Sequence, residues 1–164
     1  MVDDQVAELV RRAYEGEVLG VALFGRLVGE EPDRDQARRL YAVQLLEEQT
    51  LAAARRLADD LGVAVSDGDA AEIGAGVADA LLPMAWPERM RAVSGATGGY
   101  RDLYAQLEEA IGAAEHAAVG QLRAHERALH RFAAAEADGD RHAVEHLLAE
   151  LDGRHRERFD AFGL

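Results

Sequence analysis

Three glutamates stand where apolar residues belong. Glu17, Glu47 and Glu126 each fall in the middle of an apolar stripe with helical spacing, on three separate stretches of the chain. A carboxylate turned toward a bundle core is costly unless a metal ion, a cation or a shared proton compensates it. Three at similar depth therefore predict a site. His125 and His130 flank Glu126 in sequence, and carboxylates with imidazole suit iron, manganese or another divalent ion, while carboxylates alone also suit Mg²⁺ or Ca²⁺. The plainer alternative is that each glutamate borders its stripe with its head in water, as helix glutamates usually do. For His125 and His130 it is an exposed helix histidine.

The elements that would position these groups are helices. Apolar positions Val6, Val10, Ala13, Val21, Phe24 and Val28 follow one another in steps of three and four only if Glu17 is counted among them, which predicts a helix over 3–28. Asp3 or Asp4 can cap it, and Gly29 with Pro32 can stop it. A second helix is predicted over 35–61, with Asp33 as cap, Gly62 as stop and Glu47 in a stripe that also carries Thr50. Glu17 lies twelve residues before Gly29 and Glu47 twelve after Asp35, so both should sit ~18 Å from the turn, level with each other.

Residues 62–86 hold four glycines, Gly62, Gly68, Gly74 and Gly76, and read as a long crossover with a short helix over 70–82. A third bundle helix over 87–110 carries Tyr100 and Tyr104, expected as core residues with their hydroxyls near the rim. Gly95, Gly98 and Gly99 predict a weak point in it. A fourth, over 113–137, carries Glu126, and an extra helix over 141–162 is expected on the outside of the bundle or against a partner.

Composition bounds the function. The 164 residues suffice for one helical domain, with 49% apolar residues, only 5% aromatics and three prolines. The net charge of −13 argues against nucleic acid and against an anionic membrane surface. The absence of cysteine excludes disulfides, thiolate metal sites and Cys nucleophiles. No stretch approaches the ~20 apolar residues of a membrane span, and the acidic start lacks the pattern of a signal peptide, so a cytoplasmic protein is expected.

Two long hairpins, a long crossover and central helix glutamates resemble the ferritin-like superfamily. The strings AYEGEVLGVALFGRL (13–27), LLEEQTLAAARRLADDLG (45–62) and HERALHRFAAAE (125–136) look like an uncharacterised bacterial branch of it. The resemblance implies an all-α four-helix bundle of two antiparallel hairpins with an added C-terminal helix, and a carboxylate site for two metal ions built from two lone glutamates and two Glu-x-x-His motifs. Glu17 matches a lone glutamate. Glu47 and Glu126 match motif glutamates, but Thr50 and Leu129 stand at the histidine positions, and no Glu-x-x-His occurs anywhere in the chain. His130, one residue further along, offers a shifted ligand on the same face. The implied site is therefore degenerate. The expectation is one metal ion at Glu17, Glu47 and Glu126 with His130 or His125, or no ion at all. The second reading is a non-catalytic scaffold or dimerisation module that has lost the site. A third is a bundle cavity for a small organic ligand beside Phe24 and Tyr100.

Overall fold

The computed structural model describes residues 2–112 and 116–163, and these are about 80% helical with no strand. Seven helices follow one another: α1 (Asp4–Glu30), α2 (Arg34–Leu61), α3 (Ala70–Leu81), α4 (Trp86–Ile111), α5 (Ala117–Ala137), α6 (Glu145–Leu148) and α7 (Gly153–Ala161). The expected start of the fourth bundle helix at 113 lies outside the described residues. No helix among them is long and apolar enough to cross a membrane.

Local chemistry sets the boundaries. Asp3 caps α1 by accepting from the Gln5 amide, and Asp33 caps α2 by accepting from those of Asp35 and Gln36. Helix α1 runs two residues past the expected stop, through Gly29 to Glu30. Pro32 disfavours a helical residue before it, and Glu31 is extended at φ −76°, ψ 114°. Gly62 closes α2 in the left-handed region at φ 66°, which only glycine adopts freely. Helix α4 passes through Gly95, Gly98 and Gly99 without a break, because packing against α5 along its length outweighs their low propensity.

Helices α1 and α2 form an antiparallel hairpin. Leu23, Phe24 and Leu27 join Leu40, Val43, Met90, Val93, Leu129 and Phe132 in one apolar cluster at the hairpin end. Val10, Tyr14, Leu57, Leu103, Leu107, Val119 and Leu122 form a second cluster at the far end. Helix α4 thus starts at the hairpin end and α5 returns to it, an up–down–down–up order with one long crossover. The crossover climbs back along α1: Ala70 packs in the far cluster, Ala78 and Leu81 in the near one. Tyr14 donates to Asp67 at 2.7 Å at its start. At its end the buried Arg89 donates to the Leu81 and Leu82 carbonyls at 3.2 and 2.9 Å and pairs with Glu31.

The expected last helix over 141–162 is corrected. It breaks into the single turn α6 and the separate helix α7, because Asp152 caps a new helix by accepting from the His155 amide at 2.9 Å. Both pieces pack inside the chain. Helix α7 lies on α2, with buried Phe159 under Arg38, Phe162 stacked on Tyr41 at 4.4 Å, and Arg158 paired with Glu48 at 2.5 Å.

Candidate metal centre

The two apolar clusters leave a polar layer between them. Glu17 comes from α1, Glu47 and Thr50 from α2, Tyr104 from α4, and His125 and Glu126 from α5; all are at least 97% buried. Glu17, Glu47 and His125 each offer a donor atom, and these atoms lie within 4.8 Å of one another. His125 is central. Its Nδ1 lies 3.5 Å from Glu17 Oε1 and its Nε2 3.2 Å from Glu47 Oε1, yet neither nitrogen has a well-directed hydrogen bond. Buried ring nitrogens are almost always hydrogen-bonded, so this imidazole is held by charge, and on losing a proton it could offer a nitrogen to an ion.

Glu17 is fixed by its neighbours. Thr50 donates to its Oε2 at 2.5 Å, and Tyr104 donates to its Oε1. Thr50 thus occupies the expected histidine position but serves as a hydrogen-bond donor to the carboxylate. Glu47 is placed by a gap. A Cβ on Gly20 would lie 2.6 Å from Glu47 Cδ, so the carboxyl rests against the α1 backbone where only glycine leaves room. Gly16, one turn earlier, makes the same room for Tyr100, whose Cδ1 would be 3.1 Å from an added Cβ.

Electrostatics distinguish the groups. Burial pushes the Glu17 carboxyl up, but the facing His125 and the donors Thr50 and Tyr104 outweigh it and hold it below its ordinary range. Burial dominates at Glu47, and with repulsion from Glu17 it keeps that carboxyl raised despite His125. Burial raises Glu126 to about 8. It would lower His125, but Glu47 and Glu17 together drive the imidazole well above its ordinary value. Burial and the nearby Glu17 push the Tyr104 phenol well up. Near neutrality the layer therefore pairs an ionised Glu17 with a protonated His125, and Glu126 is mostly neutral.

The fold brings together Glu17, Glu47 and His125 of the residues singled out in the sequence. Glu126 is buried in the same layer, but its carboxyl is not among the converging donors. It follows His125 on α5, about 100° further round the helix, and lines the neighbouring cavity with it. His130 stands apart, its Nδ1 3.0 Å from Thr97 Oγ1 and 3.3 Å from Ser94 Oγ. Tyr104 belongs to the site and not to the rim. Its signal was its place on the one bundle-helix stripe that carried no carboxylate. Gly16 and Gly20 went unread in the sequence, and their signal was two glycines four apart inside a strong helix, each costing about 1 kcal/mol of helix stability relative to Ala.

Two carboxylates and one imidazole from three helices fit a single divalent ion, with open positions left for water or a ligand. Compared with known proteins, the chain matches no family model, no curated protein and no solved structure.

Proposed function

We propose that this chain is a ferritin-like helical-bundle protein that binds one divalent transition-metal ion, iron or manganese, through Glu17, Glu47 and His125. One observation carries the reading: three buried donor residues from separate helices converge within 4.8 Å around an imidazole with no directed hydrogen bond. The up–down–down–up order with one long crossover supports the fold assignment. A bound ion of this type supplies redox or Lewis-acid chemistry. The chain's own part is to orient the ligands: Thr50 and Tyr104 hold Glu17, and Gly20 admits Glu47. The test is metal analysis of protein purified without chelator and then incubated with Fe²⁺ or Mn²⁺. About one equivalent is expected, lost in His125→Ala; less than about a tenth of an equivalent under every condition removes the reading.

A second reading has its own observation. Each His125 nitrogen faces a different carboxylate, at 3.5 and 3.2 Å, so the imidazolium already compensates the glutamates without any ion. On this reading the protein is a non-catalytic scaffold, self-associating as a dimer, in which a charged triad has replaced a metal centre. Sedimentation as a dimer, with no stabilisation by Fe²⁺ or Mn²⁺, would favour it.

A further inference from the structure

The metal reading leaves one buried carboxyl unused. Glu126 is 3% exposed, and none of the side-chain hydrogen bonds or ion pairs among the described residues reaches its carboxyl. It lines a cavity of about 270 Å³ between α1 and α4, the least closely packed of the neighbouring bundle pairs. The walls are almost wholly apolar: Leu23 and Phe24 of α1, Leu81 of α3, Val93 of α4 and Leu129 of α5. The cavity opens to solvent beside Val77, Ala92 and Ala96, which are exposed.

Its chemistry restricts what can enter. Three carboxyl groups, Glu17, Glu47 and Glu126, line it against the single imidazole of His125, with no arginine or lysine among its lining residues. An anionic ligand would meet three carboxyl groups, with the His125 imidazolium already facing two of them. An ammonium brings three donors to a buried acceptor that lacks one, and an apolar body matches the walls. We propose that the cavity between α1 and α4 binds a small primary amine with an apolar body of about ten heavy atoms, its body against Leu23, Phe24 and Val93 and its ammonium at Glu126. This site does not need the ion, because the Glu126 carboxyl is not one of the three converging donors.

The test is calorimetric titration of the full chain, freed of metal by chelator, with 2-phenylethylamine, 2-phenylethanol and phenylacetate. The amine is expected to bind at least about tenfold more tightly than either of the others. Glu126→Gln is expected to bring the amine to the level of the alcohol while the alcohol itself is unchanged. Ala96→Phe fills the mouth from an exposed helix position, where the larger side chain does not disturb the core, and is expected to abolish binding of both. Phenylacetate binding as well as the amine overturns the proposal. So does amine binding that survives Ala96→Phe, which would place it elsewhere on the acidic surface, or an amine preference unaltered in Glu126→Gln. Failure here leaves the metal titration untouched, and failure there leaves this one.

Discussion

Gly20 of α1 and Glu47 of α2 share one volume: the carboxyl of one occupies the space that a side chain on the other would fill. This contact lets two helices place carboxylates on a histidine of a third. Gly20→Ala sets two effects against each other. Alanine improves the helix by about 1 kcal/mol, while a methyl 2.6 Å from Glu47 Cδ must displace a buried carboxyl from its imidazole partner. The displacement is the larger effect, so a net loss of about 1–3 kcal/mol in denaturant unfolding is expected, with weakened metal binding. Gly25→Ala is the control. Its Cβ would sit 3.7 Å from Gln44, an ordinary contact, and stability should hold or rise.

Glutamine at the two triad carboxylates should not have equal effects. Glu17 is held ionised by His125, Thr50 and Tyr104, so Glu17→Gln leaves a buried imidazolium with half its compensation. A loss of about 2–4 kcal/mol is expected. Burial and the neighbouring Glu17 raise Glu47, so its ionised form is the less firmly held of the two, and Glu47→Gln should cost less than Glu17→Gln in the metal-free protein. Chemical unfolding of both variants checks the order, and equal losses would contradict the assigned charge states. Both should bind metal poorly.

Tyr104 and Thr50 act on one carboxylate and should not be additive. Tyr104→Phe and Thr50→Val each remove a buried hydroxyl that donates to Glu17, at about 1–2 kcal/mol apiece. The double variant leaves the Glu17 carboxyl with neither donor, so its loss should exceed the sum of the single losses. A double-mutant cycle measures the coupling; zero coupling would mean that the two donors do not share Glu17.

Stability should fall as pH rises from mildly acidic to mildly alkaline. Glu126 titrates at about 8 in the fold and near its ordinary value when unfolded, so the folded state binds the extra proton across that window. Stability is complete below the unfolded value and lost as pH climbs toward 8, with a slope of up to about 1.4 kcal/mol per pH unit. The raised His125 pushes the same way above neutrality, while the depressed Glu17 loses its contribution only in acid. Unfolding curves from pH 5 to 9 test this, and Glu126→Gln should flatten the slope.

The helices and the level of the site were readable because both rest on periodicity and caps. Asp33 and Gly62 bound α2 as their chemistry requires, and equal counts from the turn put Glu17 opposite Glu47. What the sequence hid was rotational. His125 and Glu126 are neighbours on α5, and an apolar stripe does not say which of two adjacent polar residues faces the partner helices. The stripe pattern favoured Glu126; the packing of α5 against α2 brings His125 to the carboxylates. The break before α7 was equally hidden, since residues 141–162 keep an amphipathic pattern across the Asp152 cap.

Metal binding should release protons and tighten with pH. The imidazole of His125 holds a proton well above its ordinary range, and burial keeps Glu47 raised, yet both must be unprotonated to coordinate an ion. Each bound divalent ion should therefore displace about one to two protons, so its affinity should climb by roughly tenfold or more per pH unit between about 6 and 8. Thr50 and Tyr104 keep Glu17 ionised throughout, so that ligand contributes little to the dependence. Calorimetric titration with Mn²⁺ in buffers of different ionisation enthalpy counts the protons. A pH-independent affinity would mean that the ion does not enter between His125 and the glutamates, and binding elsewhere on the acidic surface would then account for any uptake.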